Sequence, residues 1–239
     1  MIDVQIIPIL KDNYAYLLIG ERGKTAIIDP GEAAPIIAEL ERQNLSLDYI
    51  LNTHHHGDHI AGNGALIEKF DAKLVGPSKE SIRISGMDIT LSEGDHFSFD
   101  GEDVQILETP GHTSGHICFY FPASEMVFTG DALFLMSVGR LFEGTPEELW
   151  TTLRKLTALP DATKVYCGHE YTLSNAEFCL SVEPNNQALQ ARMDEVQTIR
   201  DEGRTTMPGT IAQEKQTNVF IRAESVERLA EIRKLKDEF

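Results

Sequence analysis

The chain has 239 residues, with 21 basic and 38 acidic side chains and a formal net charge of −17. That length supports a real core, and 41% apolar with 25% charged residues is ordinary globular composition, which excludes bulk disorder. The charge argues against binding a nucleic-acid backbone or an anionic membrane surface, both of which need a basic face.

No apolar run approaches the roughly 18 residues needed to span a bilayer. The opening MIDVQIIPILKDNY carries an early acid and no basic stretch, so it does not read as a signal peptide. Three cysteines, Cys118, Cys167 and Cys179, make an odd count without a CxxC pair. The expectation is therefore reduced thiols in a cytoplasmic protein.

In chain order, VQIIPIL, AYLLIG and TAIID read as strands, PIIAELERQ as a helix and YILNT as a buried strand. A histidine cluster follows, then a helix over NGALIEKF and strands at HFSFD, VQILETP, HICFYF and MVFTGD. This alternation predicts sheets covered by helices. Near residue 170 the texture turns helical: SNAEFCLSVEP, the stretch 186–203 and AESVERLAEIRKLKDEF, with one weak strand at NVFIRA. A boundary is placed there, giving domains 1–170 and 171–239. The first part carries 12 basic and 26 acidic residues (−14), the second 9 and 12 (−3).

The segment Thr53-His54-His55-His56-Gly57-Asp58-His59 holds four of the eight histidines directly after a strand. A histidine-rich tract can be a nonspecific metal-binding tail, but this one is interior to the fold. Three more candidates stand at strand ends, each behind a glycine: His112 after Gly111, Asp131 after Gly130 and His169 after Gly168. Such a glycine permits a sharp turn that aims the next side chain across the top of a sheet. His54, His56, Asp58, His59, His112, Asp131 and His169 make seven candidate ligands. A single catalytic zinc normally takes about three, so seven donors suit two ions sharing a carboxylate. Zinc is the first expectation, with iron or manganese open, because His/Asp ligation accepts all three. Cys167, two residues from His169, reads as a buried thiol and not a ligand.

The motif Thr53 to His59 resembles the THxHxDH signature of the metallo-β-lactamase superfamily. The segments KDNYAYLL, TPGHTSGH, FTGDALF, CGHEYTLSNAEF and RKLKDEF extend the resemblance to glyoxalase II, the hydroxyacylglutathione hydrolases, over almost the whole chain. The resemblance implies an α+β fold, an αββα sandwich followed by a small helical domain. It implies His54, His56 and His112 on one metal, Asp58, His59 and His169 on the other, and Asp131 bridging. His55 would point away from the metals, His116 would support the loop, and His96 would be ordinary surface.

The family cleaves the thioester S-D-lactoylglutathione to D-lactate and glutathione, a step in methylglyoxal detoxification. The implied route is attack by hydroxide, made available because divalent metals bring the pKa of bound water from about 15.7 to about 7. Asp58 and Asp131 are the implied catalytic carboxylates. Glutathione-binding positions map to Arg140, Phe142, Tyr171, Arg233 and Lys236. Arg140 stands where a lysine is frequent and Phe142 where a tyrosine is frequent, and the missing hydroxyl removes a hydrogen bond worth about 0.5–1.5 kcal/mol. Arg233 and Lys236, three apart on the last helix, share a face and supply local positive charge for a substrate with two carboxylates. A monomer that binds this small molecule, and neither nucleic acid nor membrane, is expected. The alternatives on the same scaffold are another thioester or ester hydrolase, or a persulfide dioxygenase with one iron.

Overall fold

The computed structural model describes residues 2–239, which divide into two compact units. The first comprises the described residues up to 108, with 115–124. Its elements are β1 (Asp3–Ile9), β2 (Asn13–Ile19), β3 (Thr25–Ile28), α1 (Ala33–Gln43), β4 (Tyr49–Leu51), α2 (Gly57–Ile60), α3 (Asn63–Phe70), β5 (Lys73–Pro77), β6 (Ile89–Leu91), β7 (His96–Phe99), β8 (Glu102–Glu108) and β9 (Ile117–Phe121).

Strands β1 to β6 form one sheet in sequence order, antiparallel from β1 to β3 and parallel from β3 to β6. Every residue of β3 and nearly every residue of β2 is buried, the pattern of strands covered on both faces. On one face Ile27, Ile50 and Leu74 join Ile36 and Leu40 of α1 and Leu66 of α3 in a single core. On the other, Tyr49 meets Phe97 edge-on, with ring centroids 5.1 Å apart, and Phe99 at 6.4 Å. Phe97 and Phe99 belong to β7, which pairs antiparallel with β8, and β8 with β9. Helices on one face and a second sheet on the other are the layers expected of half an αββα sandwich.

The second unit comprises residues 109–114 and 125–239. It contains β10 (Met126–Gly130), β11 (Leu133–Phe134), β12 (Ser137–Val138), α4 (Pro146–Thr157), β13 (Lys164–Cys167), α5 (Thr172–Val182), α6 (Gln187–Asp201), β14 (Gly209–Thr210), α7 (Ile211–Thr217) and α8 (Val226–Glu238). Strand β10 runs parallel to β13, β13 antiparallel to β14, and β11 and β12 form a hairpin.

The fold departs from the sequence reading in places. NVFIRA is no strand: Val219 to Arg222 form a turn closed by Arg222 N–H donating to the Asn218 carbonyl at 3.0 Å. Its apolar residues Val219, Phe220 and Ile221 are buried, so the β-like composition reflects burial without strand pairing. Helix α4 was overlooked although its start carries a capping box between Thr145 and Glu148, with Pro146 in the first turn, a signal readable from sequence. Strands β5 and β6 and the short β11, β12 and β14 were also overlooked. Two-residue strands carry no periodicity to detect. Among the described residues no helix is long and apolar enough to cross a membrane.

Candidate metal centre and substrate site

In the first unit the loop after β4 and the short α2 present the histidine cluster. The His54 ring lies 4.7 Å from that of His56 and 4.3 Å from that of His59, centroid to centroid. Both His54 and His59 are buried. Asp29, at the end of β3, organises this loop: its carboxylate accepts the Thr53 N–H at 2.8 Å and the Thr53 hydroxyl at 2.7 Å, and lies 3.1 Å from His59 Nδ1. An Nδ1–H given to a buried carboxylate directs the Nε2 lone pair outward, the arrangement that orients and strengthens a metal-binding imidazole. His59 Nε2 lies 3.5 Å from Asp58 Oδ2. Asn13 in β2 donates to that same oxygen at 2.9 Å and to the Asp58 carbonyl at 3.3 Å.

The two neighbouring histidines go elsewhere. His55 places Nδ1 2.5 Å from Glu80 Oε2, and the buried His116 stacks on His54 at 5.0 Å. His96 sits on the surface beside Asp103, at 2.8 Å.

In the second unit His112, Asp131 and His169 come together, all buried. Asp131 Oδ2 lies 3.4 Å from His112 Nε2 and 3.4 Å from His169 Nε2. One carboxylate centred between two imidazoles is the geometry a bridging ligand needs. His112 Nδ1 lies 2.9 Å from the Arg140 carbonyl oxygen, so here too the outer nitrogen is tied and Nε2 faces the carboxylate. Two of the three glycines behave as the sequence suggested: Gly111 has φ +149° and Gly130 φ +45°, while Gly168 is not in the positive region. The buried Cys167 sits with Sγ 3.5 Å from the His169 carbonyl and 3.6 Å from Met207 Sδ, and burial pushes its thiol pKa up. All three cysteines are buried and none is in a disulfide.

Beside His112 lies a cationic group. Arg140 Nε donates to Asp237 Oδ1 at 3.1 Å, and Arg233 donates a terminal N–H to the same oxygen at 3.0 Å. Arg233 is only 7% exposed and gives its other terminal N–H to the Val138 carbonyl at 2.9 Å. Lys236 Nζ stands 4.9 Å from the centre of the Phe178 ring and 5.2 Å from that of Phe239. Burial pushes its amine pKa down and the neighbouring Arg233 adds to the effect. Phe142 is exposed with its ring 5.3 Å from His112, and Tyr171 stacks on His169 at 4.7 Å. Phe134 meets the edges of both His169 and Tyr171.

Every predicted ligand is thus presented by a loop at a strand end or by the short helix behind one, four in one unit and three in the other. Sequence reasoning missed Asp29, Asn13 and Asp237. The IIDPG strand end was a usable signal for Asp29; Asn13 and Asp237 carried none. Imidazoles with Nδ1 held by oxygen, together with carboxylates, are donors that fit divalent ions.

Layered sheets and helices with His/Asp donors at the strand ends define a metal-dependent member of the metallo-β-lactamase superfamily. Residues 10–169 match the "Metallo-beta-lactamase superfamily" family, and residues 170–239 match "Hydroxyacylglutathione hydrolase C-terminus". A hydroxyacylglutathione hydrolase of Ruegeria pomeroyi is 48% identical over 93% of this chain and 88% of its own length. One from Methylococcus capsulatus is 42% identical over 100% of this chain and 99% of its own length. Among solved structures, ETHE1 from Myxococcus xanthus is 28% identical with a TM-score of 0.74, covering 98% of this chain and 90% of that one. Within the superfamily, the chain belongs to the hydroxyacylglutathione hydrolases. Its His/Asp donors suit two divalent ions.

Proposed function

We propose that the protein hydrolyses S-D-lactoylglutathione to D-lactate and glutathione. The observation that carries this reading is Arg140. Its carbonyl oxygen orients His112 and its guanidinium joins Arg233 through Asp237, so a metal-ligand candidate and a carboxylate-recognition group meet in one residue. Glutathione carries two carboxylates, and guanidinium and ammonium groups are their natural partners.

His54, His56 and His112 would hold one ion, Asp58, His59 and His169 the other, and Asp131 would be shared. Zinc is the proposed metal. Two divalent ions supply a lowered pKa for water and polarisation of the thioester carbonyl. The chain's own residues do the rest. Asp58, held by Asn13, orients the attacking water. Asp29 and the Arg140 carbonyl keep His59 and His112 in the tautomer that offers Nε2. Arg140, Arg233 and Lys236 bind the glutathione carboxylates, and Phe142 and Tyr171 flank His112 and His169 with aromatic surface. The leaving thiol has an ordinary pKa near 8.5, so it departs as thiolate without a dedicated acid.

We further assign residues 1–170 to metal binding and catalysis and 171–239 to glutathione binding, in a monomeric cytoplasmic enzyme. The three buried cysteines, reduced and outside any disulfide, support that location. The test is thiol release from S-D-lactoylglutathione by the metal-replete protein, before and after chelation. Rapid release abolished by chelator is expected; no release from the metal-replete protein would overturn the substrate assignment.

A further inference from the structure

Asp237 is an acid among the cations proposed to receive an anionic substrate, at a position where repulsion of that substrate would be expected. Its geometry explains its presence. A single oxygen, Oδ1, accepts from Arg140 Nε and from Arg233. Arg233 cannot move to suit: it is buried, donates to the Val138 carbonyl, and packs its guanidinium 5.3 Å from the centre of the Phe220 ring. Arg140 is different. Its side chain is about half exposed, and a long exposed side chain loses rotamer entropy when it is immobilised on a ligand. Through Asp237, Arg140 is tied to a fixed point before any ligand arrives.

The nitrogen used for that tie matters. Arginine has five N–H donors in a rigid fork. Spending Nε on Asp237 leaves the two terminal amino groups, and among the described residues they donate to no acceptor. A carboxylate approaching that end meets two parallel N–H groups. A lysine at this position offers one ammonium and cannot serve both partners with the same directionality. Asp237 also lies between two guanidiniums that would otherwise repel: burial lowers the Arg233 pKa, Asp237 opposes that shift, and Arg140 adds to it.

We propose that Asp237 is a positioning residue, which holds Arg140 through Nε so that its two terminal amino groups form a preset fork for a carboxylate of the glutathione moiety. The proposal rests on the substrate reading above. It predicts a defect in substrate affinity without a defect in chemistry, because the hydrogen bonds of Asp237 go to the two guanidiniums and to none of the metal-ligand candidates.

The experiment is steady-state kinetics with S-D-lactoylglutathione on four holoenzymes: native, Asp237→Ala, Asp237→Asn and Arg140→Ala, plus the Arg140→Ala/Asp237→Ala double variant. Asp237→Ala should raise KM about three- to tenfold, the scale of freeing one side chain, with kcat within twofold. Asp237→Asn keeps an oxygen acceptor in the same place and should restore KM to within about twofold of native. In the Arg140→Ala background the second substitution should change KM less than twofold, because the pair acts as a unit. An unchanged KM in Asp237→Ala, an equal loss in Asp237→Asn, or a full additional loss in the double variant would overturn the proposal. A native enzyme without thioesterase activity would instead overturn the substrate reading, so the two failures are distinct. Equal melting temperatures for Asp237→Asn and native protein establish that the comparison is made on folded enzyme.

Discussion

Gly139 lies against the backbone of Asp131, so closely that a Cβ on it would overlap the Asp131 carbonyl oxygen and come within 2.9 Å of His112 Nδ1. Asp131 and Gly139 flank the β11–β12 hairpin, and the turn between the strands contains Met136 with φ +59°. Two ligand candidates, Asp131 at the base of the hairpin and His112, therefore depend on a residue without a side chain. Gly139→Ala must displace backbone, and backbone displacement of about 1 Å costs on the order of 100-fold in a positioned site. We expect a fall in kcat of that order with loss of bound metal. Metal analysis and turnover on the purified variant check it; full metal occupancy with native turnover would refute it.

Asp131 lies 3.4 Å from the Nε2 atoms of both His112 and His169. If it is shared between two ions, Asp131→Ala removes one ion per chain and most turnover. Two ions still bound to that variant, by elemental analysis, would exclude the bridging role.

If Lys236 binds a substrate carboxylate, it does so only while protonated, and its amine pKa is lowered by burial between two aromatic rings and by Arg233. A lowered pKa means the charge is lost earlier as pH rises. The KM for S-D-lactoylglutathione should therefore climb at alkaline pH below the range of an ordinary lysine, and Lys236→Arg should move that climb upward. Lys236→Ala should raise KM more than it lowers kcat. Arg233→Ala should do the same and in addition lower stability by about 1–3 kcal/mol, since it takes the guanidinium donor from the Val138 carbonyl and leaves Asp237 with one partner. A KM that stays flat up to the range of an ordinary lysine would remove Lys236 from the site.

Glu214 is fully buried, pairs with Arg192 at 2.7 Å, accepts the Met136 N–H at 2.8 Å and accepts from Asn218 at 2.9 Å. Breaking a buried pair from one side costs about 3–5 kcal/mol. Glu214→Ala should lower Tm by about 10 °C at this chain length. It should also weaken turnover, because Met136 lies in the hairpin that leads to Arg140. Calorimetry on the variant tests the first effect; a Tm within 2 °C of native would contradict it.

The thiol of Cys179 is pushed up to about 12 by burial, and that of Cys167 is pushed up as well. With Cys118 also buried, the native protein at pH 8 should react with no thiol reagent over minutes, and three thiols should titrate after denaturation. A fast-reacting thiol in the native state would contradict this burial.

The residues that carry chemistry were legible in the amino-acid order because they are local. The run His54 to His59 packs four donors into six positions, the glycines before His112 and Asp131 announce their turns, and the longer strands announce themselves as apolar runs between turn signals. The family likeness rests on the same short segments. What was illegible is pairwise and distant. Asp29 reaches His59 across 30 positions, Glu214 reaches Met136 across 78, and Asp237 reaches Arg140 across 97. Periodicity and turn chemistry describe how a segment folds on itself; they contain no term for which buried carboxylate will meet which donor. NVFIRA illustrates the limit, since its composition reports burial and only its neighbours decide that it turns. The sequence by itself determined the donors, the sheet-and-helix class and the charge balance. The tertiary structure decided which imidazole nitrogen faces the donors' centre and which cation is held ready, because both are fixed by hydrogen bonds between segments brought together only by the packed core.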